Sequence, residues 1–148
     1  MSIKHKKFHL FVLCLIAAIT NGYVFNYLNV KYFHYSSNEN GLSEYSKNWK
    51  IIMIIIVVPI VETLVFNIIP NKVLKKFGVE STFILVIIPS IFFSIFHFYH
   101  PIYGMMALFG GIIMNYYFLH SHNNLKTAFL LAALLHSSYN LYGYLFVN

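Results

Sequence analysis

The stretch Ile51–Pro70, IIMIIIVVPIVETLVFNIIP, decides how the chain is read. It is long enough to cross the ~30 Å hydrocarbon core of a bilayer as a helix, yet Glu62 lies within it, with Thr63 and Asn67 close by. An ionisable side chain in hydrocarbon costs on the order of 3 kcal/mol or more, so such groups face a bundle interior or a water-filled cavity. Glu62 therefore needs partners from elsewhere in the chain.

The composition agrees with a membrane setting. Of 148 residues, 59% are hydrophobic and 9% charged, against about 25% charged in soluble domains. An ordinary soluble domain is excluded, and the expected fold is an all-α, polytopic transmembrane helix bundle. All ten cations are Lys and all four acids Glu, for a net charge of +6. That balance, lying mostly outside the apolar stretches, suits anionic lipid headgroups and not nucleic acid. The single Cys14 rules out an intramolecular disulfide.

Outward from the central stretch, the apolar runs give about five spans in a single membrane domain, residues 1–148. An N-terminal segment with Lys4, Lys6 and Lys7 leads into a first apolar run, 8–28, which lacks a small-residue cleavage site and reads as a retained helix, separable from a core at 51–147. Residues 29–50 are polar and turn-rich, carry Glu39, Glu44 and Trp49, and read as a loop. The second span is Ile51–Pro70, closed by Asn71 and the cluster Lys72, Lys75, Lys76. A third runs from Ser81 to Tyr99 and breaks at His100–Pro101; a fourth is Ile102–Leu119, with the Gly110–Gly111 pair permitting close helix approach; a fifth is Thr127–Val147. The Lys clusters before span one and after span two fall on one side if every segment crosses, which puts the N-terminus in the cytoplasm of a cell-membrane protein.

The polar residues inside those spans are the candidate chemistry. Span two offers Glu62, Thr63 and Asn67; span three Ser90, Ser94 and His97; span four Asn115; span five His136, Ser137, Ser138 and Asn140. His136 and Asn140 are four apart and share a helix face, as do Phe93 and His97. Glu62 and His136 each lie ten residues from a lysine, Lys72 and Lys126, hence at similar depth, about 15 Å, if those lysines mark one membrane face. His97 is seventeen residues from Glu80, which sets it nearer the other face. Pro59 leaves the carbonyl of Ile55 without its helical partner, and Pro89 repeats the effect in span three; both predict bends that could open a polar cavity.

Together these groups can hydrolyse a bond. Glu62 would serve as general base on a water, His97 would orient that water, and His136 with Asn140 would donate hydrogen bonds to the oxyanion of an attacked carbonyl.

The segments PIVETLVFN, FSIFH and HSSYN resemble the three motifs EExxxR, FxxxH and HxxxN of the CPBP family of membrane proteins. That family groups CAAX-processing endoproteases with bacteriocin-processing and Abi-type immunity proteins. Aligned on the proline and on Phe66, the first motif places Glu62 at its first glutamate, Thr63 at the second and Asn67 at the arginine; Phe93 with His97 and His136 with Asn140 match the other two in full. The resemblance covers roughly residues 51–145. It implies an intramembrane endopeptidase acting on a lipidated, leader-bearing or membrane-bound peptide substrate, with Glu62 and His97 activating water and His136 and Asn140 stabilising the oxyanion. The loss of the second glutamate and the arginine removes an ion pair that could hold the first motif rigid, and Asn67 could replace it by neutral hydrogen bonding. No cofactor is required by these residues; a divalent metal such as zinc, if used, would be held by Glu62, His97 and His136.

Blander accounts exist for each residue. Glu62 could make a structural bond to a neighbouring helix, His97 and His136 could cap interhelical contacts, and Asn140 could be interhelical glue. His100, His120 and His122 lie at span ends or in a turn, where solvated histidine is expected. The competing function is a catalytically inactive membrane protein on the same scaffold, acting in bacteriocin immunity or partner binding.

Overall fold

The computed structural model describes residues 3–35 and 46–146. Every element among them is helical. Helix α1, Ile3–Leu28, is continued by a π turn, Asn29–Phe33. Helix α2 is one rod assembled from Lys47–Ile52, Val58–Thr63 and Ile69–Lys76, joined by π turns at Met53–Val57 and Leu64–Ile68. Helices α3, α4 and α5 are Thr82–Phe96, Pro101–Ser121 and Leu125–Phe146. Three stretches, His5–Phe33, Asn48–Lys76 and Pro101–Ser121, are long and apolar enough to cross a membrane.

The boundaries depart from the sequence reading at three places. Residues 29–33 and 47–50 extend the flanking helices, so the expected 29–50 loop shrinks; its middle, with Glu39 and Glu44, lies outside the described residues, as does Val147. The second span does not close at Pro70 but runs on to Lys76. The third ends at Phe96, with His97 already off the helix at φ −111°, ψ 20°. Its 15 residues rise only about 22 Å, short of the ~20 residues a perpendicular crossing needs. A short α3 removes the depth mismatch: the turn at residues 97–100 can dip to the level of Glu62.

Local chemistry explains the ends. α2 stops at Gly78, whose φ of +78° suits glycine; Gly78 and Val79 donate to the carbonyls of Lys75 and Leu74, closing the last turn, while Lys75 and Lys76 complement the dipole. His100 caps α4 by accepting from the Tyr103 N–H at 3.1 Å, with Pro101 in the first turn where a missing N–H is harmless. Asn124 caps α5 through the Thr127 N–H at 3.2 Å.

Helix α4 is the hub, touching each of the other four helices. The adjacent glycines Gly110 and Gly111 serve different neighbours. A Cβ on Gly111 would lie 3.1 Å from Ser90 Cα, so its absence lets α3 seat closely; one on Gly110 would instead face the Asn21 amide of α1 at 3.7 Å. Cys14, Ile68, Tyr117, Phe118, Ala128, Ala132 and Leu135 form an apolar core at one end of the bundle, drawn from α1, α2, α4 and α5. The outer surface carries large apolar side chains, among them Leu13, Phe83, Ile95 and Leu130, each more than 60% exposed. Such a coat is untenable in water and ordinary in lipid.

Candidate active site

Glu62 lies on α2 between the two π turns, and each of its carboxylate oxygens faces a different imidazole. Oε1 is 3.2 Å from His97 Nε2, at the end of α3, and Oε2 is 3.5 Å from His136 Nε2, in the middle of α5. The three side chains are 19%, 15% and 11% exposed respectively. They border one cavity of about 550 Å3 enclosed by α1, α2, α3, α4 and α5, which Asn140, Asn67 and Phe93 also line.

The proton arrangement follows from His97. Its Nδ1 lies 2.8 Å from the Phe93 carbonyl oxygen; a carbonyl only accepts, so Nδ1 carries the hydrogen and donates it. Nε2 of the neutral ring then presents a lone pair, and for it to attract Glu62 Oε1 a second proton must lie between them. Glu62 and His97 therefore hold one transferable proton between them. The ring is clamped in that pose: Phe93 lies 4.0 Å away between centroids, Phe66 meets it edge-on at 5.9 Å, and Tyr103 stacks at 6.4 Å.

The π turns explain why α2 can aim Glu62 at the cavity. Val58 N–H reaches back five residues to Met53 O, so the next carbonyl, Ile54 O, would have to meet Pro59, which has no N–H. The orphan in this register is Ile54, not Ile55 as ordinary helical spacing predicts. Asn140 Nδ2 fills it, donating across from α5 at 2.9 Å. One amide hydrogen of Asn140 is thus structural, and the other remains for the cavity. The second π turn repeats the pattern, with Ile69 N–H on Leu64 O ahead of Pro70.

Of the supporting residues, Phe66 packs on His97, and Thr63 is buried at 1% without lining the cavity. Asn67 makes no bond to Glu62. Its Nδ2 donates to Asn115 Oδ1 at 2.8 Å, and Asn115 donates to Ser90 Oγ at 3.3 Å and Gly111 O at 3.0 Å. This buried amide chain ties α2, α4 and α3 together beside the site, a neutral fastening where the motif has a charged one. Asn115, one of the polar residues that the sequence places inside a span, is its hub; an amide in an apolar span was the available signal. Tyr103 was missed outright, because no spacing rule links it to His97. His100 serves as a helix cap, His120 hydrogen-bonds the Tyr116 carbonyl one turn back, and His122 accepts the Asn124 N–H.

Each imidazole addresses its own carboxylate oxygen, and among the described residues no group of three His, Cys, Asp or Glu is placed to hold a metal ion. The Glu62–His97 pair can hold a proton and pass it on.

Fold and site together define a helical membrane protein with a carboxylate–imidazole centre sunk among its helices. The chain belongs to the family described as type II CAAX prenyl endopeptidase Rce1-like, whose model matches residues 45–142. This is a protease family, and the apolar helices place the protein in the membrane. No curated protein and no solved structure matches the chain.

Proposed function

We propose that the protein is an intramembrane endopeptidase that hydrolyses a peptide bond in a membrane-associated substrate, a lipidated or leader-bearing peptide. One observation carries this reading: the two oxygens of Glu62 are each met by a separate imidazole inside a cavity large enough for a peptide. Water bound beside Glu62 and His97 loses a proton to that pair as its oxygen bonds to the scissile carbonyl carbon. The oxyanion accepts hydrogen bonds from His136 Nε2–H and from the free amide hydrogen of Asn140. Collapse breaks the C–N bond, and the proton held by the Glu62–His97 pair passes to the leaving amine. Water and peptide give one acid and one amine.

In this account Thr63 and Asn67 do not disable the site, because the Asn67–Asn115–Ser90 chain positions α2 without an ion pair. All five helices lie in the bilayer, with the N-terminus in the cytoplasm. Burial of Cys14 and Ile68 in one core supports placing the α1 lysines and Lys72, Lys75 and Lys76 at the same end of the bundle.

The test is cleavage of a farnesylated peptide by the purified protein in bilayers, wild type against Glu62→Gln. Removal of a general base lowers the rate about 100- to 10,000-fold while the variant stays folded. Unchanged cleavage overturns the mechanism, and a wild type inert towards farnesylated and leader-bearing peptides alike favours the inactive immunity or partner-binding scaffold.

A further inference from the structure

The family match begins at residue 45, so α1 lies outside it. Even so, α1 supplies a wall of the cavity that holds Glu62. Ala18, Gly22 and Asn26 line that cavity at intervals of four, one row of a helix, with Asn21, Phe25 and Asn29 in the adjacent row. Three amides border this cavity, Asn21 and Asn29 half-buried and Asn26 exposed at its edge, and an amide in a membrane helix is costly unless it finds a polar partner.

Two of them have structural work. Asn21 Nδ2 donates to Met106 O at 2.9 Å, fastening α1 to α4. Asn29 closes the end of its own helix, accepting from Tyr35 N–H at 3.1 Å and donating to Tyr35 O at 3.0 Å; Tyr35 then stacks on His100 with centroids 4.6 Å apart. Asn26 lies between these two anchors and makes no hydrogen bond among the described residues.

The register places Asn26 within reach of a bound peptide. A Cβ on Gly22 would lie 2.9 Å from the Tyr139 hydroxyl, and Tyr139 follows His136 by three residues on α5. Asn26 is four residues beyond Gly22, about 6 Å along the axis. An extended peptide advances about 3.3 Å per residue, so Asn26 sits roughly two residues along from the point where Tyr139 meets Gly22. We propose that α1 is the substrate-selecting wall of the site, with Asn26 hydrogen-bonding the backbone of the peptide segment next to the scissile bond and Gly22 seating α1 closely against Tyr139. This rests on the endopeptidase reading for the identity of the site, but the contact itself can be tested without turnover.

A photoreactive amino acid placed at position 26 of the Glu62→Gln protein in vesicles is compared with the same group at Val24, which is exposed as position 26 is but does not line the cavity. The probe is a synthetic farnesylated peptide. Position 26 crosslinks to the peptide portion and position 24 does not; equal labelling at both, or none at 26, overturns the proposal. In turnover, Asn26→Leu raises KM roughly three- to tenfold, the effect of one lost hydrogen bond, with kcat moving less than KM, and Asn26→Gln recovers most of it. A wild-type KM in Asn26→Leu also overturns the proposal. Crosslinking at 26 in a protein that cleaves nothing would sink the endopeptidase and leave the selecting wall standing, whereas cleavage without crosslinking would do the reverse.

Discussion

Glu62 is tolerable in an apolar helix because His97 and His136 lie against its two oxygens, at 3.2 and 3.5 Å, and the amides around it show the same economy. Asn67 and Asn115 are 5% and 1% exposed and joined at 2.8 Å. Removing one partner strands the other, which costs about 1–3 kcal/mol. Asn67→Leu and Asn115→Leu should each lower the thermal midpoint in detergent, and the double variant should be less destabilised than the sum, because both polar halves go together. Strict additivity would show that the two amides do not depend on each other. The identity of these residues was legible from composition alone, since polar groups stand out in hydrocarbon, but their pairing was not. Asn67 and Asn115 are 48 positions apart, and nothing in either segment names the other.

At the scale of the element, the π turns matter most. Each inserts roughly one residue relative to α spacing, turning everything beyond it by about 100°. Helical-wheel reasoning across Ile51–Pro70 therefore locates Glu62 along the rod without fixing the direction it faces. The same limit put the orphaned carbonyl at Ile55 when the structure has it at Ile54. Pro59→Ala should give Ile54 O a backbone partner in competition with Asn140. The expected result is a rotated Glu62 and a fall in kcat/KM of about tenfold or more, consistent with the sensitivity of catalysis to ångström displacements; full activity would mean that Pro59 does not set the aim of the helix. Phe93–His97 and His136–Asn140 were readable because each pair lies on one regular helix or at its edge. Tyr103, reached only by the chain reversal at Pro101, was not.

For the molecule as a whole, a count of apolar runs was enough to give the helical bundle, and the resemblance of three short motifs pointed to the family that the match over 45–142 establishes. The sequence reading treated α1 as the separable piece, yet it packs on α4 and α5 and buries Cys14 and Ala18; small and apolar residues spaced for a core look the same as residues spaced for lipid. Placement of the Lys ends gives a topological prediction. In a Cys14→Ser background, Lys31→Cys should react with an impermeant thiol reagent added outside intact cells and Lys76→Cys only after permeabilisation, and the reverse pattern would invert the bundle. The central claim is that Glu62 and His97, brought from separate helices to 3.2 Å, work as one proton-handling unit. Its most direct test is kcat/KM for Glu62→Gln, His97→Ala and the double variant on one membrane-bound peptide. Groups that act together lose their contribution once, so the double variant should be no slower than the worse single one; losses that multiply, or a single variant with wild-type activity, would contradict the account.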